Sequence, residues 1–185
     1  MEIKRRDVLC YLRYKGQEIS QELDDKINQA IDICAKNVHL KYILKKYRVN
    51  RQTKMIEGTT LKLEGNSIWK HIEGCDEVYL LGATIGFDVE KLIAKYFISD
   101  RTLAVILDAA ATAAIESYCD EICENIKEKI TSRFSCGYGD WNIAVQNELC
   151  RVLDTQRQIG VFCNQAHMLT PQKSVTALMG IKNEC

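Results

Sequence analysis

The amino-acid sequence predicts an α+β fold, in which a mostly antiparallel twisted sheet packs with a long central helix and additional helices, preceded by an N-terminal helical arm. Helical and strand-like segments do not alternate strictly along the chain, which disfavours a parallel α/β arrangement. One segment near the middle of the chain keeps a helical period over many turns. The chain has 185 residues, of which 46% are apolar, and this is sufficient for one domain with its own core.

The first 37 residues predict the helical arm, and residues 38–185 predict the main α+β domain. Residues 3–14 predict a short helix that ends near Gly16. Ser20 can cap a second helix. The apolar residues of this second helix fall on one face, namely Leu23, Ile27, Ile31 and Cys34.

The main domain is predicted to contain several short strands and helices. Its β-forming or alternating runs predict strands over residues 38–49, 55–64 with a turn at Gly58, 78–81, 160–164 and 174–181. Its amphipathic segments predict helices from a cap at Asn66 or Ser67 to Ile72, over residues 87–97 and over residues 142–153.

The longest predicted element is a helix from about Asp100 to Ile130. Its first half reads LDAAATAAIE and is rich in alanine. Because alanine lets a neighbouring backbone approach closely, we expect this half to be buried against the sheet or against another helix.

The charge balance disfavours several classes of partner. Lys+Arg and Asp+Glu each total 25, so the formal net charge is zero and nothing resembles a basic nucleic-acid-binding surface. The N-terminus reads MEIKRRDVLCYLRYKG, in which charges interrupt the apolar residues. No signal core and no membrane-spanning run is predicted. We therefore expect a cytoplasmic protein that binds neither nucleic acid nor membrane.

Nine cysteines are many for a cytoplasmic protein. An odd number cannot all pair, so reduced thiols are predicted instead of a disulfide framework. Four of the cysteines occupy apolar positions of helical patterns, where a thiol behaves as a small hydrophobe: Cys34, Cys119, Cys123 and Cys150.

A candidate binding turn, TSRFSCGYGD, lies between two predicted helices at residues 131–140. Arg133 offers a planar guanidinium suited to a carboxylate, Gly137 allows close backbone approach, and Tyr138 adds a ring with a polar tip. Together these residues can hold an amino-acid-like ligand. The alternative interpretation of the same residues is surface pairing and packing.

The sequence around this turn resembles the S-adenosylmethionine-binding activation domain of cobalamin-dependent methionine synthase. That family has an Arg-x-x-Pro-Gly-Tyr turn and a later Pro-x-x-Ser-Val strand entry, which Pro171, Ser174 and Val175 match here. The segments that carry the resemblance are RFSCGYGDWNIAVQNELCRVLD, IGVFCNQAHMLTPQKSVTALMGI and LDAAATAAIESYCDEICENI. Two further segments, YLRYKGQEI and LGATIGFDVEKLI, are similar to short, free-standing members of the family.

The resemblance implies a ligand site and a role for each of its residues. Arg133 would contact the methionine carboxylate of S-adenosylmethionine, the Ser135 backbone and Gly137 would help to seat the ligand, and Tyr138 would line the pocket. Glu116 would face the cationic part of the ligand from the long helix. This chain departs from the family at Cys136, where proline is usual, and at Met179, which stands near the position of a second aromatic residue.

The resemblance also implies partners. The chain would be an activation subunit without independent turnover, acting on cobalamin held by a methionine synthase module, with flavodoxin or another electron donor to that partner. No side chain is assigned a catalytic role, since cobalt is the nucleophile. The sequence itself lacks the Asp-x-His-x-x-Gly loop of a corrinoid carrier, because Trp69 replaces the aspartate in WKHIEG.

Two other functions remain open at the level of sequence. One is an activator or ligand sensor for another corrinoid methyltransferase. The other is a thiol-based redox or metal-binding protein, suggested by the nine cysteines and by two pairs at a spacing of four residues, Cys119 with Cys123 and Cys163 with His167. No C-x-x-C motif supports a zinc site, and no metal ligand is assigned.

Overall fold

The computed structural model of the protein describes residues 2–183, which contain seven helices and six strands. The helices are α1 (Arg5–Tyr11), α2 (Gln21–Asn37), α3 (Asn66–His71), α4 (Asp88–Ser99), α5 (Arg101–Glu124), α6 (Val145–Leu153) and α7 (Thr155–Ile159). The strands are β1 (Lys41–Asn50), β2 (Met55–Ile56), β3 (Glu77–Thr84), β4 (Phe162–Cys163), β5 (Leu169–Thr170) and β6 (Ser174–Ile181). Helices combined with antiparallel sheets confirm the predicted α+β class.

The chain divides into two compact units. Unit 1 comprises Met1–Lys41, Thr84–Cys123 and Pro171–Lys173, and unit 2 comprises Tyr42–Ala83, Glu124–Thr170 and Ser174–Cys185. The predicted arm falls within unit 1. Its boundary after residue 37 stays a prediction.

Unit 1 is built from helices whose apolar faces are buried. Ser20 caps α2 as predicted, because its Oγ accepts a hydrogen bond of 3.3 Å from the Leu23 amide. Asp100 does the same for α5, since its Oδ1 lies 3.0 Å from the Leu103 nitrogen. Asp100 also pairs with Lys26 of α2, which joins the start of α5 to α2.

The alanine-rich half of α5 is buried, as expected. Six alanines of this helix have an exposed fraction of 6% or less, namely Ala104, Ala109, Ala110, Ala111, Ala113 and Ala114. By length and composition α5 could cross a membrane, but 61% of its most apolar window is buried within the protein. Such burial is the behaviour of a core helix.

The predicted end of α5 at Ile130 is wrong, since the helix stops at Glu124. Within unit 2, Ile130 instead forms an antiparallel bridge with Ile181 of β6. The Thr131 amide donates to the Gly180 carbonyl at 2.8 Å. This strand-like pairing gives a hydrogen-bond partner to the backbone of Thr131, which in a longer helix would have bonded within the helix.

Unit 2 is built around an antiparallel sheet with the strand order β2-β1-β3-β6. Val49 of β1 pairs with Ile56 of β2, and its amide donates to the Asp76 carbonyl at 2.9 Å. The strand predicted over 55–64 shortens to the two residues of β2. A second small sheet pairs β4 with β5. The largest fully buried side chains of this unit include Ile56, Leu61, Leu63, Leu80, Trp141 and Leu149.

Candidate functional site

The candidate binding turn belongs to unit 2 and is anchored on β6. The Phe134 amide donates to the Leu178 carbonyl, and the Leu178 amide donates back to the Phe134 carbonyl, both at 2.9 Å. This reciprocal pair is an antiparallel bridge. The backbone beside Arg133 and Ser135 is therefore fixed by a strand, which is a more rigid support than a free loop.

Three backbone hydrogen bonds close the turn itself. The Gly137 amide donates to the Trp141 carbonyl at 2.8 Å, the Tyr138 amide to the Ser135 carbonyl at 3.2 Å, and the Trp141 amide to the Tyr138 carbonyl at 3.0 Å. Gly137 has a φ of 92°, in the region that L side chains rarely adopt. The glycine is therefore required by the turn, whatever it does for a ligand.

Asp140 ties the turn to the N-terminus of α3. Its carboxylate accepts from the Asn66 amide at 2.7 Å and from the Ser67 amide at 2.8 Å. These hydrogen bonds, first that from Ser67, hold the pKa of Asp140 below its ordinary value. The prediction that Asn66 or Ser67 caps this helix is wrong, because the cap is a carboxylate from a distant part of the sequence.

Two glycines allow the turn and α3 to approach this closely. A Cβ at Gly139 would lie 2.6 Å from the Ser67 Cβ. A Cβ at Gly65 would lie 2.9 Å from the Asp140 carbonyl oxygen. The hydrogen bonds from the first turn of α3 to Asp140 were not predicted from the sequence. The segment GYGD, with its two glycines, indicates a tight turn, but nothing in it identifies α3 as the partner of Asp140.

An aromatic cluster lies beside the turn. The Phe134 ring is 4.7 Å from the His71 ring, 6.0 Å from the Tyr138 ring and 6.0 Å from the Trp141 ring, measured between centroids. Trp141 is 1% exposed, whereas Tyr138 is 60% exposed. The cluster is thus buried at Trp141 and exposed at Tyr138, and the exposed tyrosine ring is available as an apolar wall for a ligand.

Polar contacts of its imidazole ring hold His71 in this cluster. Its Nε2 lies 2.8 Å from the Ser132 carbonyl oxygen and 2.9 Å from Thr131 Oγ1. The Gly180 amide donates to the same Thr131 hydroxyl at 2.9 Å. These contacts connect α3, the start of the turn and β6 within unit 2.

Four of the five predicted site residues lie on this one turn. Arg133 and Ser135 are half-buried, and Gly137 and Tyr138 are exposed. Glu116 is half-buried on α5 and belongs to unit 1. Its predicted place opposite the turn, like the ligand contacts of all five residues, stays a prediction.

Burial disfavours the thiolate form of the cysteine of the turn. Cys136 is 7% exposed, and burial raises its pKa to about 12. The thiol is therefore protonated at neutral pH and is not a nucleophile there. It packs with the core of unit 2 at the position where the resembling family usually has proline.

The structure gives no support to a metal centre among the cysteines and histidines. Within residues 2–183, no group of three or more His, Cys, Asp or Glu side chains is placed to hold a metal ion. All eight described cysteines are free thiols, and burial raises the pKa of Cys150 to about 11. Cys119 is buried within α5.

Comparison with known proteins identifies a similar fold. Neither a protein-family model nor a curated protein matches the sequence. Among solved structures, the crystal structure of the MetH reactivation domain bound to AdoHcy matches with a TM-score of 0.73. The match covers 100% of this chain and 78% of that chain, at 12% sequence identity. At this identity the match shows that the two chains share a fold.

Proposed function

We propose that this protein is an S-adenosylmethionine-binding activation subunit that supports reductive re-methylation of cob(II)alamin on a partner methionine synthase. The observation that carries the proposal is the fold match over the whole chain to the MetH reactivation domain, whose crystal structure holds AdoHcy. AdoHcy is what remains of S-adenosylmethionine after its methyl group has been transferred. The sequence resemblance around the turn supports the same ligand independently.

The side chains of the turn suit such a ligand chemically. S-adenosylmethionine carries a carboxylate, an ammonium and a sulfonium, so its site needs a cation, an anion and an aromatic or apolar wall. We assign the cation to Arg133, the wall to Tyr138 and the anion to Glu116. The backbone of Ser135 and Gly137 would seat the amino-acid end of the ligand.

The proposed contribution of the protein is to position the methyl group. An electron donor such as flavodoxin would reduce the cobalt of the partner, and the reduced cobalt would then take the sulfonium methyl, releasing AdoHcy. Holding the methyl group over the corrin turns a random encounter into an oriented one. No side-chain base is needed, and the corrinoid would remain on the partner as the substrate. The electron donor and the methionine synthase partner would both act with this protein in the cytoplasm.

Thermal unfolding with added ligand tests the binding step. A ligand present at a hundred times its Kd stabilises the native state by about 2.7 kcal/mol, which raises the Tm of a domain of this size by about 5–10 °C. We expect S-adenosylmethionine to cause this shift. The variant Arg133→Ala should lose most of it, and Arg157→Ala, an exposed arginine of the same unit, should retain it. No shift of the wild-type protein at millimolar ligand would contradict the proposal.

Formation of methylcobalamin tests the partner. The protein is mixed with a cob(II)alamin-loaded methionine synthase module, a reductant and S-adenosylmethionine, and the visible spectrum is followed. Methylcobalamin should form only in the presence of this protein. Formation with a different corrinoid methyltransferase, and none with methionine synthase, would support the alternative partner instead.

A further inference from the structure

Unit 1 contains a second concave site that the proposed function does not use. Its volume is about 580 Å³, and it lies among α1, the segment after α1, the start of α2 and the start of α5. The volume falls within the range of pockets for small organic ligands. The apolar residues of its lining include Leu9, Leu12, Leu23, Ile27, Val105 and Ile106.

Part of this apolar lining is left in contact with water. Val105 is 50% exposed and Tyr14 is 38% exposed, although both line the cavity. The Tyr14 hydroxyl donates to the Gln17 carbonyl at 2.5 Å, and both residues line the cavity. Apolar surface that is exposed in a concave site is typical of a site that receives an apolar ligand.

The charges around the cavity favour an anion. Arg13 and Arg101 both line it, and among residues 2–183 neither guanidinium has a hydrogen-bonding or ion-pair partner. Arg13 has a φ of 57°, a strained conformation for a residue other than glycine. Glu18 is the single carboxylate of the lining, so the lining carries a net charge of one positive unit.

We propose that this cavity binds an amphipathic carboxylate, with an alkyl body on the leucine and isoleucine side chains and its carboxylate on Arg13 and Arg101. An arginine fork suits a carboxylate because it donates two parallel hydrogen bonds. Both arginines are exposed, and an uncharged apolar ligand would contact the apolar lining and use neither guanidinium. The lining shares no residue with the proposed S-adenosylmethionine site, so either proposal can fail without the other.

Calorimetric titration with straight-chain carboxylates tests the site. We expect decanoate to bind more tightly than octanoate, and octanoate more tightly than hexanoate, because each buried methylene strengthens binding about fourfold. Decan-1-ol, which has the same alkyl chain without the charge, should bind at least about tenfold more weakly than decanoate.

Variants of the lining test the charged part and the apolar part of the site separately. Arg13→Gln and Arg101→Gln should each weaken decanoate binding about tenfold, whereas Glu18→Gln should tighten it. Val105→Asp should abolish binding. The matched controls are Arg48→Gln, an exposed arginine of unit 2, and Ile98→Asp, an apolar residue that is 91% exposed and lies outside the lining. Both controls should bind decanoate as the wild type does.

Three results would each overturn the proposal. The first is no decanoate binding at millimolar concentration by a folded wild-type protein. The second is decanol binding as tight as decanoate binding, which would make the cavity an apolar docking groove and not a carboxylate site. The third is unchanged binding in Val105→Asp or in both arginine variants, with circular dichroism confirming that the variants are folded.

Discussion

Asp140 is the residue on which the geometry of the candidate turn depends most directly. It accepts two amide hydrogen bonds from the first turn of α3 and so fixes the end of the turn that begins at Arg133. A carboxylate at a helix N-terminus satisfies free amide groups and interacts favourably with the helix dipole. The side chain therefore positions the candidate turn through its contacts with α3.

We predict that Asp140→Ala lowers the Tm at pH 7 by a few degrees, because two amides lose their acceptor. The pKa of Asp140 is lowered in the native state, so its stabilising contribution is present above the pKa of the unfolded chain and is lost as the pH falls through the native pKa. The difference in Tm between wild type and variant should therefore shrink below about pH 4. Thermal unfolding followed by circular dichroism between pH 3 and pH 7 measures this. A difference that stays constant over this range would contradict the assignment, and Asp32→Ala, at an exposed position of α2, serves as the control.

At the scale of elements, the approach of the turn to α3 depends on a glycine contact that can be tested. Gly139 and Gly160 both have positive φ, of 57° and 74°. A Cβ at Gly160 meets nothing within 4 Å, whereas a Cβ at Gly139 meets Ser67. An alanine would therefore strain the backbone at both positions, but it would cause a steric clash only at Gly139.

We expect Gly160→Ala to cost about 1 kcal/mol of unfolding free energy, from backbone strain alone. Gly139→Ala should cost a further 1–3 kcal/mol or so, because the added methyl group overpacks the contact with α3. Urea unfolding of both variants measures the difference. Equal losses of stability would show that the turn and α3 are not in tight contact.

The sequence predicted the elements whose signals are local. The apolar face of α2, the cap at Ser20 and the strand β6 follow from residues next to each other in the chain, and the structure confirms them. The end of α5 and the cap of α3 were predicted wrongly, because Ile181 and Asp140 decide them from far along the sequence. Periodicity carries no information on such pairings.

The candidate turn was predictable to a similar degree. The four turn residues are neighbours in sequence, and the turn that they form is present in unit 2. Glu116 belongs to another unit and was assigned through resemblance alone. The role of Asp140 was not predictable, since an aspartate after a glycine is equally typical of a solvated turn.

In the molecule as a whole, five of the eight described cysteines are buried, which disfavours the thiol-based alternative. Burial raises the pKa of Cys34 and of Cys136 to about 12 and that of Cys150 to about 11. A thiol whose pKa is raised carries little thiolate at pH 8 and gains it only as the pH approaches the raised value. Cys10, in contrast, is exposed to solvent.

We therefore predict that iodoacetamide at pH 8 alkylates Cys10 of the native protein within minutes and leaves Cys34, Cys136 and Cys150 unmodified. Peptide mass spectrometry measures the modification of each site, and the same reaction in urea, where all the thiols should react, provides the control. Rapid alkylation of Cys136 or Cys150 in the native protein would favour the thiol-based alternative.

A crystal structure of the protein with S-adenosylmethionine would show whether the turn after α5 holds the amino-acid end of this compound. We expect the ligand carboxylate within hydrogen-bonding distance of the Arg133 guanidinium, with the Tyr138 ring beside the ligand and Glu116 facing its cationic groups. A ligand bound elsewhere, with these three side chains directed away from it, would contradict this assignment.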